Sequence, residues 1–328
     1  MTMKKTIKRV LAGIGALLTL LITIVIVRFY VLAPKSRPAP VMTAPTTAEA
    51  IERGRYLVNT VAACTGCHSP VQESLPGEPP VEGMLGAGRD FGEVPGSPVH
   101  IRAGNITPDQ ETGLGGWTDG EIARAIREGV SKDGRHLFPQ MPYETYRETL
   151  SDGEVLDIIA YLRTLKPVKN DPGPTKVAFP VSMFIRTVPA PLEQSPSPAP
   201  SPSDKLARGK WLLATASCND CHDSRDDKMQ KIPGKTLAGG MEFTLPNERG
   251  VAIAPNITSD KATGIGSYSD DDIRRAIEEG KGKDGRNLFA MPWTSYKGMT
   301  REDKDALIAA LREVPPVTNV VAPSRIKQ

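Results

Sequence analysis

The chain has 328 residues, with 41 Lys/Arg against 38 Asp/Glu, 5% aromatic residues, 30 Gly and 30 Pro. That length allows two ordinary domains plus extras, and the composition suits small, loop-rich domains better than one large core. Charge is unevenly placed: residues 1–46 carry 7 basic residues and no acid, residues 47–168 carry 11 basic and 18 acidic, and residues 204–317 carry 18 of each. The basic character therefore sits at the N-terminal end, and nucleic-acid binding has no support. The acidic first half either steers a basic partner or serves solubility.

Lys4, Lys5, Lys8 and Arg9 precede Val10–Val27, 18 residues without a charge, about 27 Å as a helix at ~1.5 Å per residue. A cleaved export signal has an apolar run of roughly 7–15 residues. This run is longer, and its one cleavage-like site, Val31-Leu32-Ala33, is followed by Pro34. The favoured reading is an uncleaved membrane anchor over 1–33, basic end inside and everything after Arg28 outside. A cleaved signal is the alternative. Residues 34–46, rich in Pro and Ala, predict a semi-rigid tether, on the order of 40 Å if extended as polyproline II.

All four cysteines lie in two C-x-x-C-H motifs, "CTGCH" at Cys64–His68 and "CNDCH" at Cys218–His222. This is the attachment signature of c-type haem: the thiols add to the haem vinyl groups and the adjacent His reaches the iron. A redox pair does not need the His, and a zinc site of Cys64, Cys67, Cys218 and Cys221 leaves both His residues unexplained. Haem c is attached outside the bacterial cytoplasm, which agrees with the N-terminal segment.

The motifs lie within an internal repeat. "ERGRYLVNTVAACTGCH" matches "LARGKWLLATASCNDCH" with one residue dropped, and "IIAYLRTLKPV" matches "LIAALREVPPV". Two domains of one fold follow, 47–168 and 204–317, joined by the linker 169–203 and followed by a tail, 318–328. The linker ends in a low-complexity run, "LEQSPSPAPSPS". Its earlier part, with Val177, Phe179, Val181, Met183, Phe184 and Ile185, is too apolar to be free; it packs on the first domain as an edge segment or runs across both.

Each domain reads as helices joined by loops. Thr46 or Thr47, and Asp204, are candidate caps of the first helix. Thr118-Asp119-Gly120-Glu121 fits a capping box, Ile122, Ala125 and Ile126 follow at helical spacing, and Gly129 stops the helix. Ile273, Ala276, Ile277 and Gly280 repeat the pattern. A last helix starts at Ser151 or Thr300 and ends before Pro167 or Pro315. The Gly/Pro-rich region between haem motif and middle helix reads as loop, with room for a short hairpin.

A haem iron needs a second axial ligand unless its site is open. The only other histidines, His100 and His136, both lie in the first half and read as loop residues, although His136 could compete for iron in a denatured or high-pH form. Both halves share Met-Pro after "DGRxLF": Met141 lies 73 residues beyond His68, and Met291 lies 69 beyond His222. A thioether on a Pro-stiffened loop suits ferrous iron, so His68/Met141 and His222/Met291 are the candidate ligand pairs. The alternative is that the Met residues fill the core. Arg102, Trp117, Arg135, Arg286 and Tyr268 are candidate partners of haem propionates. Asn105-Ile106-Thr107 and Asn256-Ile257-Thr258 read as turn chemistry.

With "CTGCH" and "CNDCH", "NITPDQETGLGGWTDGEIARAIREG" and "NITSDKATGIGSYSDDDIRRAIEEG", and "DGRHLFPQMPY" and "DGRNLFAMPW", the sequence resembles the multihaem cytochrome c subunits of bacterial periplasmic alcohol, gluconate, sorbitol and aldehyde dehydrogenases. The resemblance covers both domains. It implies an all-α fold of two tandem class I-like cytochrome c domains behind one transmembrane helix. It also implies haem bound covalently at Cys64, Cys67, Cys218 and Cys221, with proximal His68 and His222 and distal Met141 and Met291. The implied role is electron transfer from a dehydrogenase catalytic subunit toward a quinone-linked complex or terminal oxidase, on the periplasmic side of the cytoplasmic membrane. Members often have three haems and a C-terminal anchor; this chain has two motifs and an N-terminal apolar segment. A diheme subunit of a terminal oxidase is the alternative. A diheme peroxidase needs one open iron, and both halves offer the same Met. No Cys is spare for a thiosulfate-oxidising cytochrome, and no signalling domain follows for a sensor. The protein therefore reads as an electron carrier with two haem c groups and no catalytic residues of its own.

Overall fold

The computed structural model describes residues 2–33, 36–73, 75, 77–94, 96–186, 189–245 and 249–326. Pro34, invoked above against cleavage, lies outside them. Helix α1, Thr2–Ile26, runs into a π-helical turn, Val27–Val31. Residues Lys5–Val31 are long and apolar enough to cross a membrane, and their side chains lie away from the protein core.

The first repeat contains α2 (Ala48–Tyr56), a π-helical turn (Leu57–Val61), α3 (Cys64–Cys67), strands β1 (Arg89–Glu93) and β2 (Val99–Ala103), and then α4 (Asp119–Glu128), α5 (Tyr143–Thr149) and α6 (Asp152–Leu162). Strand β3 (Lys176–Val177) and helix α7 (Val181–Ile185) follow. The second repeat contains α8 (Lys205–Thr215), α9 (Cys218–His222), β4 (Glu242–Leu245), β5 (Gly250–Ile253), α10 (Asp270–Glu279), α11 (Trp293–Tyr296), α12 (Arg301–Arg312) and β6 (Arg325–Ile326).

The all-α expectation is therefore wrong. Each half carries a three-stranded antiparallel sheet, ordered β1-β2-β3 and β4-β5-β6. The hairpins lie in the Gly/Pro-rich region, where a bulge between Asp90 and Gly92 breaks the alternation that marks a strand. The third strand of each sheet has two residues and comes from far along the chain, Lys176–Val177 from the linker and Arg325–Ile326 from the tail. Pairing at that range leaves no local signal.

The helix caps follow the sequence. Thr47, Asp204 and Thr300 accept backbone N–H bonds, and Thr118, Ser151 and Ser269 form full capping boxes. The one-residue difference between the repeats also has a structural cause. The first repeat holds one more residue between its first-helix arginine and its first cysteine. It absorbs that residue in the π-helical turn Leu57–Val61, the form a single insertion takes in a helix. Helix α8 has no extra residue and stays α-helical to Thr215.

Within each half the first and last helices cross at a glycine. A Cβ on Gly54 would lie 1.8 Å from the Asp157 carbonyl oxygen, and one on Gly209 would lie 1.9 Å from that of Ala306. An arginine one residue earlier locks each crossing: Arg53 donates to both carboxylate oxygens of Asp157, and Arg208 to both of Asp303. The halves then pack on each other around a local pseudo-two-fold axis. Helix α5 lies on α8, α11 lies on the turn Leu57–Val61, and one hydrophobic core runs through both halves. Residues at equivalent positions close the interface: the Tyr56 hydroxyl donates to Asp303 (2.7 Å) and the Trp211 indole N–H donates to the Thr149 carbonyl (2.6 Å).

The segment expected to be a semi-rigid tether lies against α4. Arg37 donates to Glu128, Arg124 donates to the Arg37 carbonyl, and the Ala44 N–H donates to Asp119. The linker is also docked on the first half: Asp152 N–H donates to Ser195 and Ala199 N–H to Glu154.

Gly54→Ala and Gly209→Ala each force one helix crossing apart and should cost about 2–3 kcal/mol, the scale of core overpacking. Denaturant unfolding measures this. An exposed control, Gly134→Ala, has no neighbour within 4 Å of its Cβ but strains a left-handed φ of +80°, and should cost less.

Candidate haem sites

Each C-x-x-C-H motif is entered through a residue held in the left-handed region, Ala63 at φ 49° and Ser217 at φ 55°. Neither is glycine, and each bears a strain on the order of 1 kcal/mol that the surrounding helix packing must hold. The bend carries the chain from the end of the first helix into a single helical turn with both cysteines and the histidine.

The two histidines are oriented alike. His68 Nδ1 lies 2.7 Å from the Gly104 carbonyl oxygen, and His222 Nδ1 lies 2.8 Å from that of Pro255. A carbonyl only accepts, so the proton sits on Nδ1 and the lone pair on Nε2. Burial lowers both imidazole pKa values, and the carbonyl bond opposes this only in part. Each ring is thus a neutral nitrogen donor, the form a metal takes.

The carbonyls that orient these rings sit immediately before the two Asn-Ile-Thr stretches. Asn105 Oδ1 accepts from the N–H and hydroxyl of Thr107, while its amide donates to Thr112 and to the carbonyls of Val168 and Asn170. Asn256 repeats this with Thr258, Thr263 and Val317. Both asparagines are buried. The motif is turn chemistry, and it also pins the histidine-orienting loop to the segment that follows the last helix.

The methionine loops are equally matched. Pro142 (φ −80°, ψ 50°) and Pro292 (φ −79°, ψ 49°) sit in inverse γ-turns closed by Tyr143 N–H to Met141 O and Trp293 N–H to Met291 O, both 2.8 Å. The aromatic after each turn packs on the glycine ending the middle helix. Gly129 and Gly280 have φ of +61° and +63°, and a Cβ there would come within 2.7 Å and 2.3 Å of those rings. Met141, Met291, Cys64 and Cys218 all pack against the shared core.

No cysteine is in a disulfide, and Cys67 is exposed while the other three are half-buried. Burial pushes Cys64 and Cys218 up to about 12 and Cys221 to about 11, and raises Cys67 too. Among the described residues no three His, Cys, Asp or Glu side chains converge as a metal cage. Paired thiols beside a neutral imidazole with a free Nε2 suit a group that brings its own equatorial ligands. The donor set fits haem c.

The two motifs are neighbours across the interface: charge at Cys67 contributes to raising Cys221. Between them stand two tyrosines that the sequence reading missed. Tyr146 and Tyr296 occupy equivalent positions, are buried, and donate to the Ala62 and Ala216 carbonyls just ahead of each motif. Burial, then the nearby cysteines, raises both phenols well above the usual value. Their repetition three residues after Tyr143 and Trp293 was the available signal. Arg163 and Arg312 were also missed. Each bonds the two carbonyls ahead of its middle helix, Leu114 and Trp117 or Ile265 and Tyr268.

The remaining candidates have partners within the protein. His100 is on β2, 2.6 Å from Asp90, and His136 forms a bridge with Val130. Arg102, Arg135 and Arg286 are engaged by Asp90, Asp133 and Asp284. The Tyr268 ring carries Lys283, and Trp117 packs on the core.

No protein-family profile matches the chain. It is 32% identical over 288 residues to the fructose dehydrogenase cytochrome subunit of Gluconobacter japonicus, covering 83% of this chain and 55% of that protein. It is 28% identical over 285 residues to the cytochrome c subunit of a quinone alcohol dehydrogenase from Gluconacetobacter polyoxogenes, covering 81% and 56%. With a diheme c-type cytochrome of Cereibacter sphaeroides it shares 29% over 289 residues, 85% of this chain and 90% of that one. The chain spans about half the length of the first two. This chain is a homologue of cytochrome c subunits of bacterial dehydrogenases and of a diheme c-type cytochrome.

Proposed function

We propose that the protein passes electrons through two covalently attached haem c groups, from a dehydrogenase catalytic subunit outside the cytoplasmic membrane toward a quinone-linked complex or terminal oxidase. One observation carries the reading: the histidine–carbonyl bond and the Met-Pro turn recur with the same geometry in both halves. A catalyst needs one site to differ, with an iron left open for substrate. Here neither half is specialised.

In this reading Cys64 and Cys67, and Cys218 and Cys221, hold the two groups, His68 and His222 are the proximal ligands, and Met141 and Met291 the distal ones. Bound haem iron supplies one-electron exchange, and His/Met ligation raises its potential. The chain does the rest. The Gly104 and Pro255 carbonyls fix the imidazole tautomer and make Nε2 more electron-rich. The inverse γ-turns hold the thioethers on stiff loops, and the shared core excludes water. The apolar helix Lys5–Val31 holds the two domains at the membrane.

Met141→Ala and Met291→Ala should each lower one of two midpoint potentials, turn one haem high-spin and halve the Met–iron charge-transfer absorption. Redox-resolved spectra measure this. If either variant leaves both haem spectra unchanged, that ligand is misassigned. Asn105→Ala should release the loop that carries the Gly104 carbonyl and weaken its bond to His68. A less electron-rich imidazole favours ferrous iron, so the first haem's midpoint should rise, on the order of tens of millivolts, while the second stays fixed. A redox titration separates the two.

A further inference from the structure

The apolar stretch after β3 does not pack only on its own domain. Phe184, on α7, meets Phe29 edge-to-face with ring centroids 5.5 Å apart, and the Arg186 guanidinium lies 4.8 Å over the Tyr30 ring. Phe29 and Tyr30 belong to the π-helical turn that ends the apolar helix. Phe184 is nevertheless 59% exposed and Phe179 73%, while Met183 between them is buried in the protein. One side of this short segment is docked, and its aromatic side faces outward beside the end of the anchor.

The depth follows from length. The uncharged run Val10–Val27 is 18 residues, about 27 Å of helix, which nearly fills a hydrocarbon core of ~30 Å. Phe29 and Tyr30 then lie at the level where aromatic rings collect, between headgroups and acyl chains. Whatever touches them lies at that level too. Arg28 and Arg186 flank the same patch, placed for lipid phosphates.

We propose that residues 178–186 form a second membrane contact, with Phe179 and Phe184 seated in the headgroup–acyl boundary of a phospholipid bilayer. This rests on the reading that Lys5–Val31 spans a membrane. A single helix leaves a domain free to swivel. A second contact beside it, together with residues 36–46 docked on α4, fixes the face that the haem domains turn toward the bilayer and toward partners held there.

The test uses the full-length holoprotein in phosphatidylcholine–phosphatidylglycerol vesicles. In the proposed holoprotein haem occupies all four native cysteines, so a nitroxide reports only an introduced thiol. Phe184→Cys and Phe179→Cys are compared with Leu18→Cys in α1 and Val320→Cys, which is 85% exposed on the second half. Collisions with oxygen are measured against collisions with a water-soluble nickel chelate. Positions 179 and 184 should favour oxygen several-fold over position 320. If they match position 320 while position 18 is shielded in lipid, the second contact is wrong and the anchor stands. If position 18 also matches position 320, the anchor reading fails and takes the second contact with it.

Discussion

Everything in each half depends on how closely its first and last helices approach. At Gly54 and Gly209 the backbone of one helix lies against a carbonyl of the other, with no room for a side chain. The first helix delivers the haem motif through a strained residue at its end. The last helix delivers the segment whose carbonyls, Val168 and Val317, take the Asn105 and Asn256 amides. Those asparagines hold the loops whose preceding carbonyls orient His68 and His222. The helix crossing therefore positions both the C-x-x-C-H motifs, which in the proposed reading attach haem, and the group that sets the histidine tautomer.

The same helices build the contact between halves. Tyr56 and Trp211 follow the crossing glycines by two residues and each reaches into the opposite half. The Asp303 carboxylate that Tyr56 finds is also the one that Arg208 holds, so the second half's internal lock is shared with the first. Tyr146 and Tyr296 fill the space beside both motifs. Duplication thus places two C-x-x-C-H motifs in one packed body, which in the proposed reading is what a short electron path requires.

Much of this was legible locally. Caps at Thr118, Ser151, Ser269 and Thr300, and the stops at Gly129 and Gly280, are signals carried within one turn of helix, and the structure has them. The third strands were not legible, because Lys176–Val177 and Arg325–Ile326 are too short to show alternation and pair with residues more than 70 positions away. Proline and alanine in residues 36–46 look like a spacer, yet the segment is bound through Arg37 and the backbone, and neither leaves a mark in a periodic pattern. In the site, cysteine, histidine and methionine announce themselves by chemistry and repetition. Tyr146 and Tyr296 repeat as well, but a buried tyrosine donating to a carbonyl looks in sequence like any core aromatic.

In the proposed function, two equivalent haem sites lie in one body and exchange electrons within a single chain. Photochemical injection of one electron into the oxidised holoprotein, followed by optical tracking of its redistribution between the haems at several protein concentrations, tests this directly. Redistribution should proceed at a rate independent of concentration. A rate that rises in proportion to concentration would mean that electrons pass only between molecules, and would contradict the account.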